Sequence, residues 1–148
     1  MQNLIHSFTA LFSNFKCLSL LLLRLILAYG FYGPAMKKIQ NFDSIVLWFK
    51  NSLHLPFPEL NAYLATATEA AGVILLALGL ATRFISVPLM FVMTIAITMV
   101  HWKGGFAASN NGFEIPLYYF LMLFVLVAHG AGKISLDETI AKKWFGSK

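Results

Sequence analysis

Two ionisable side chains, Arg24 and Glu69, stand alone inside long apolar runs. An ionised group in the hydrocarbon core of a bilayer costs at least ~2.5 kcal/mol on insertion scales, so each needs a partner or a task. Around Glu69, the residues Ala65, Glu69, Gly72, Leu76 and Gly79 recur at spacings of four, three, four and three. That spacing places the carboxyl on a helical face of mostly small side chains, which lets a neighbouring helix approach closely. At ~1.5 Å per residue, Glu69 falls near mid-membrane and Arg24 roughly 10 Å from the end of its helix. An arginine side chain only just bridges that offset. Either the two form a buried ion pair that fixes helix register, or one of them works in the interior; a protonated, neutral Glu69 is a third state.

A second constellation gathers His101, Trp102, Asn110, Asn111, Gly112 and Glu114. A titratable base, two amides and a carboxyl in one short stretch can hydrogen-bond a carbonyl or pass protons to bulk water. The structural alternative is that they cap two helix ends and solvate a loop, Glu114 being favoured in a first helical turn by the macrodipole. Haem is disfavoured although there are four histidines, because His101 and His129 belong at opposite ends of their helices and His54 lies in a loop. No paired helical spacing of carboxylates and histidines suggests a metal cage. Cys17 is the single cysteine, so an internal disulfide and a CxxC pair are both excluded.

The elements that must position these groups are written in the composition. Of 148 residues, 59% are hydrophobic and 11% charged, against about a quarter charged in a soluble domain. The mean hydropathy is +0.74. A soluble chain this size still exposes roughly 30% of its unfolded surface, too much for so apolar a sequence, and lipid is the solvent it fits. The net charge of +5 comes from Lys and Arg scattered singly, which reads as headgroup contact and topology signal rather than a nucleic-acid surface.

We therefore expect an all-α membrane protein, a bundle of four transmembrane helices forming one domain over 1–148. An amphipathic helix comes first, with Leu4, Ile5, Phe8, Leu11, Phe12 and Phe15 on its apolar face. The spans are expected at about 17–36, 60–82, 84–100 and 114–131, with a short interfacial helix between the first two that carries Phe42, Ile45, Val46 and Phe49 on one face. Span three stops at His101-Trp102-Lys103 and opens a loop rich in Gly, Ser and Asn; a polar tail begins at Lys133. Residues 1–16 lack the basic start of a secretory signal, so the N-terminus is expected to be retained. Four spans leave both termini on one side. Lys16, Arg83, Lys133, Lys142, Lys143 and Lys148 flank that side and Lys37, Lys38, Lys50 and Lys103 the other, which puts the termini in the cytoplasm. Trp48, Trp102 and Trp144 all fall at span ends, where an aromatic belt belongs.

From Arg24 onward the chain resembles the DoxX family of small four-span membrane proteins. The resemblance rests on Arg24, Gly33 and Lys37 in span one, with Tyr32 where histidine is frequent. It continues in Glu69, Gly72 and Gly79-Leu-Ala-Thr-Arg83, in His101, Gly105-Phe106 and Asn111-Gly112-Phe113-Glu114, and in the closing Gly132-Lys-Ile-Ser-Leu-Asp137. It implies a bacterial cytoplasmic (inner) membrane protein and a redox setting, since relatives include a subunit of archaeal thiosulfate:quinone oxidoreductase and members of thiol-stress complexes. It also admits carrier or trafficking roles. A redox reading asks for a quinone, because the chain has no motif for flavin, haem or iron–sulfur binding. On that reading His101, Glu114 and Glu69 are the proton-exchanging groups, and Arg24, Tyr118, Tyr119, Trp102 and Asn111 hold the quinone, which is coupled to a partner oxidoreductase. The alternatives are a non-enzymatic membrane anchor or assembly subunit and a carrier for a small lipophilic compound gated by Glu69. A homo-oligomer would complete any of these sites in so small a unit.

Overall fold

The computed structural model describes the backbone of residues 2–146 and the side chains of 15–144 and 146. It is helical, with no strand among the described residues. Helix α1 runs unbroken over Gln2–Gln40. This corrects the expectation of a separate amphipathic helix ahead of span one: no Gly or Pro falls before Gly30 to interrupt the winding. The apolar face expected of Leu4 to Phe12 lies outside the described side chains. Pro34 sits inside α1 without ending it, and Lys37 and Lys38 occupy the last turn, where cations suit the C-terminal carbonyls.

The short helix expected between the first two spans is α2, Phe42–Asn51, which buries Phe49 and sets Phe42 edge-on to Tyr63 at 5.9 Å between ring centroids. Helix α3, Pro58–Leu78, returns antiparallel to α1 and buries Ala62, Thr66, Glu69, Gly72 and Leu76 along one stripe. A tight turn, with Gly79 and Ala81 both left-handed at φ 67° and 49°, leads into α4, Thr82–Ile95. The winding then widens to a π-helical segment at Ala96–His101 and tightens to a single turn of 3₁₀ helix at Trp102–Gly104. Helix α5 is Glu114–His129. The polar tail forms a helix of its own, α6, Leu136–Phe145, whose start is capped by the Ser135 hydroxyl accepting from the Glu138 N–H at 3.2 Å.

Phe15–Gln40 of α1, Pro58–Leu78 and Thr82–Gly104 are long and apolar enough to cross a membrane. Helix α5 is apolar but has 16 residues, about 24 Å of rise against a hydrocarbon core of ~30 Å. The core joins α1, α3, α4 and α5 through fully buried Leu27, Leu76, Leu89, Leu123 and Leu126. Outward faces carry large apolar groups such as Leu22, Ile26, Ile74, Phe84 and Phe124, as lipid-facing helices should. Two buried hydroxyls bond back one turn, Thr66 to the Ala62 carbonyl and Ser86 to that of Thr82, both at 2.7 Å, so these two need no water.

Gly79 and Gly33 offer a paired test of these contacts. A Cβ at Gly79 would overlap the Arg24 guanidinium and sit on a left-handed backbone, whereas one at Gly33 meets nothing. Gly79→Ala should lower stability by about 1–3 kcal/mol, while Gly33→Ala, in a helix interior, should be neutral or gain up to ~1 kcal/mol. Thermal unfolding in mild detergent measures both.

Candidate functional site

The polar interior groups fall into two sets at opposite ends of the bundle. One lies at the end carrying the α3–α4 turn. There Arg24, 1% exposed, donates from Nη1 to the Leu76 carbonyl at 3.3 Å and from Nη2 to the Ile134 carbonyl at 2.5 Å. The Leu76 carbonyl belongs to the last turn of α3, where it also accepts from the Gly79 N–H at 3.2 Å and where the helix dipole favours a cation. Asp137 of the tail completes the cluster. Its carboxylate accepts from the Ala81 and Thr82 N–H groups at 2.7 and 3.0 Å, capping the start of α4, and its own N–H donates to the Gly79 carbonyl at 3.0 Å. Asp137 also attracts Arg24 electrostatically. The cluster thus ties α1, the α3–α4 turn and the start of α6 together, with every strong acceptor directed at backbone.

The other set surrounds a cavity of about 590 Å³ at the opposite, loop end. Its walls come from all the apolar helices: Phe31, Pro34 and Lys38 of α1, Leu64, Ala65, Thr68 and Glu69 of α3, Pro88 to Ala96 in part from α4, and Pro116 and Tyr119 of α5. Trp48 and Phe49 of α2 close it from one side, and His101, at the end of the π-helical segment, closes it with Asn111 and Gly112 of the loop. Glu69, 2% exposed, is bonded to the Lys38 ammonium at 2.7 Å. His101 Nδ1 lies 2.9 Å from the Asn111 carbonyl; a carbonyl can only accept, so Nδ1 carries the hydrogen and a neutral ring presents Nε2 as an acceptor. Tyr119 packs edge-on to Phe31 at 5.5 Å, and its hydroxyl rests against Gly30, where any Cβ would collide with it.

The expected Arg24–Glu69 pair is therefore not formed. Helical side chains lean toward the N-terminus of their own helix. On α1 that direction carries Arg24 away from Glu69 toward the turn end, and on antiparallel α3 it carries Glu69 toward the loop end. The same lean bends Lys38 back into the bundle from the last turn of α1, where it meets Glu69. By sequence alone Lys38 reads as a flanking charge. Its signal is nevertheless present: Arg24, Phe31 and Lys38 succeed one another at intervals of seven, the spacing of a single buried stripe.

Of the groups singled out from sequence, Glu69, His101, Asn111 and Tyr119 border the cavity and Arg24, Trp102, Glu114 and Tyr118 do not. Glu114 accepts from the Ala108 N–H at 2.9 Å and from the Tyr118 hydroxyl at 3.0 Å, stapling the loop to the start of α5. Trp102 is 62% exposed and stacks on Phe113 at 5.4 Å. The loop itself closes through Phe113 N–H to Gly105 carbonyl and Glu114 N–H to Phe106 carbonyl, both at 3.0 Å. Glu114 and Tyr118 thus act as loop supports, and Arg24 as a bundle tie. Among the described residues no three His, Cys, Asp or Glu side chains are placed to share a metal ion.

A family model described as DoxX matches residues 19–102. An uncharacterized protein of Haemophilus influenzae is 33% identical over 137 residues, covering 88% of this chain and 87% of its own. A second uncharacterized protein of that organism is 32% identical over 124 residues, 82% of this chain and 90% of its own. No solved structure matches the chain. The fold and its two polar clusters are thus those of a small helical membrane protein. The chain belongs to the DoxX family.

The pairing predicts a double-mutant cycle. Lys38→Met alone leaves a buried carboxylate unanswered and should cost roughly 3 kcal/mol or more. Lys38→Met with Glu69→Gln should recover most of that, giving a coupling of about 1–3 kcal/mol, whereas Arg24→Leu and Glu69→Gln should add independently. Unfolding midpoints of the purified variants decide it, and additivity for Lys38 with Glu69 would refute the pairing.

Proposed function

We propose that this chain is a four-span subunit of a membrane redox system that holds a quinone, or a similar lipophilic electron carrier, in the loop-end cavity and couples it to a partner oxidoreductase. The observation that carries the reading is a largely apolar chamber of about 590 Å³ bordered by a buried Lys38–Glu69 pair and by His101. Small-molecule sites run to ~300–1,000 Å³, mostly apolar with a few convergent polar groups, and the chamber has that size and chemistry. A quinone, when bound, supplies a two-electron acceptor that takes up two protons on reduction. The chain's own part is to bind the ring, exclude water and hold protons. Lys38 donates to Glu69 across a 2.7 Å hydrogen bond, and His101, with Nδ1 tied to the loop carbonyl, keeps Nε2 as an acceptor. Asn111 and Tyr119 add polar contact at the rim. Arg24, far from the chamber, keeps the bundle closed beneath it.

The four-span topology rests on the depth that α5 covers. It starts beside the loop that closes the far end of α4, where Glu114 bonds Ala108, and it ends with the Ala128 carbonyl 3.3 Å from Arg83, at the start of α4. Helix α5, with the loop before it, thereby runs between the same two ends as the longer apolar helix beside it, which supports a fourth crossing. The excess of basic residues at the turn end and tail assigns that end to the cytoplasm, both termini with it, and the chamber to the outer half of a bacterial inner membrane. In a Cys17→Ser background, Ser109→Cys should react with an impermeant thiol reagent from outside and Lys142→Cys only after permeabilisation. Equal labelling of both from one side would remove a span.

The functional test measures quinone extracted from the purified protein, and quinone reduction in membranes with and without it. Wild type should carry quinone, Ala65→Phe, which fills the chamber, should not, and His101→Ala should slow reduction. A protein that carries none and leaves the rate unchanged, yet still co-purifies with an oxidoreductase, would be an anchor instead.

A further inference from the structure

The chamber is walled unevenly. On one side α1 and α5 meet through Phe31, Tyr119 and Gly30, with Phe31 1% exposed. On the other, α3 and α4 touch at Gly72, where a Cβ would press on the Leu89 side chain. From that contact toward the loop end the two helices flank the void. The residues that line it on α3 are Leu64, Ala65, Thr68 and Glu69, and those on α4 include Pro88, Phe91 and Ile95.

The helical phase of these residues locates the opening. With 100° between neighbours, Ala65, Thr68 and Leu64 step progressively off the buried stripe of α3 through Glu69. Pro88, Ile95 and Phe91 step likewise off the buried stripe of α4 through Leu89. Arg83, on the opposite flank of α4, reaches α5 at Ala128, so α5 occupies that flank and the stepped residues face α3. Tyr63, on the opposite flank of α3, meets Phe42 of α2, so the stepped residues of α3 face α4. Both sets therefore turn into the α3–α4 seam. The outermost member of each is well exposed, Leu64 at 55% and Phe91 at 66%, while still lining the chamber. A side chain that borders both the void and the outer face of the bundle marks a place where the two connect.

We infer that the chamber opens sideways into the bilayer between α3 and α4, and that its ligand is a membrane-dissolved amphiphile whose apolar tail leaves through the Leu64–Phe91 seam while its polar ring lies against Lys38–Glu69. This rests on the redox reading above and adds the route and the ligand's architecture. The polarity gradient supports the orientation. The seam is bordered by Leu64, Pro88, Phe91 and Ile95, and the charged pair lies behind it. A tail left in contact with acyl chains keeps its hydrophobic solvation, and a ring drawn inward exchanges lipid for hydrogen-bonding groups. A water-soluble ligand would gain nothing from a gate of leucine and phenylalanine.

The test uses the full-length protein in liposomes and a decyl-tailed benzoquinone bearing a diazirine at the tail end, with adducts mapped by mass spectrometry. Adducts on α3 near Leu64 and on α4 near Phe91, lost on adding excess unlabelled decylbenzoquinone, are expected. Narrowing the seam with Leu64→Trp and Phe91→Trp should abolish them, while a tailless benzoquinone still protects His101 from carbethoxylation. Competed adducts at Pro34 and Ile115 instead would place the opening between α1 and α5 and overturn the route, leaving quinone binding intact. No competed adduct anywhere, with no protection of His101, would overturn binding itself and this inference with it.

Discussion

Inside a bundle solvated by lipid there is no water to satisfy a charge or a helix end, so protein must answer every such group. This constraint organises the molecule. Arg24 stabilises the last turn of α3 by bonding its Leu76 carbonyl, and Asp137 stabilises the first turn of α4 by meeting its orphan N–H groups. The signs are those the helix dipoles demand, a cation at a C-terminus and an anion at an N-terminus. One turn between two apolar helices thereby becomes the anchorage for α1 and for the tail as well.

Fixing one end frees the other. With α3 and α4 held by the turn and pressed together at Gly72 and Leu89, they flank a void beyond that point. The Lys38–Glu69 pair is the counterpart of the Arg24 cluster but differs in kind. Arg24 and Asp137 spend their hydrogen bonds on backbone, whereas Lys38 and Glu69 bond each other and border empty space. A group whose partner is another titratable side chain can exchange protons without unravelling a helix. A group whose partner is backbone cannot. That contrast distinguishes the two buried charges more clearly than burial does, since Arg24 and Glu69 are almost equally hidden.

The membrane class, the apolar helices, the small-residue face of α3 and the burial of Arg24 and Glu69 were all legible in the sequence, because hydropathy and 3.6-residue spacing survive into the fold. The partners of the two charges were not. Depth along a helix says where a Cα lies, but contact is decided by where the side chain leans, and on antiparallel helices that lean separates Arg24 from Glu69 and brings in Lys38. The closing Ser135-Leu-Asp137 stretch reads as polar tail because its role is long-range: Asp137 caps a helix that begins some fifty residues earlier in the chain. The continuity of α1 was hidden by a change from mixed to purely apolar composition, which alters the helix's surroundings and leaves its winding intact. His101 and Glu114, close in sequence, look like one site. The loop divides them, with His101 at the chamber and Glu114 spent on Ala108 and Tyr118.

The π-helical segment at Ala96–His101 gives the far end of α4 an odd sensitivity to length. A π turn accommodates one residue more than the α-helix around it, so it acts as a phase shifter, rotating the chain beyond it by about 100° relative to an uninterrupted helix. His101 owes its bearing on the chamber to that extra residue, and so does the entry of the chain into the loop that carries Asn111. Were the segment to relax to ordinary winding at its present length, the imidazole would swing off its station, with every chemical group still encoded. Deleting one residue between Ala96 and Val100 would instead remove the extra residue and the wide turn together and leave the histidine in phase, so this stretch can absorb a one-residue change in length that would displace His101 if made elsewhere in α4.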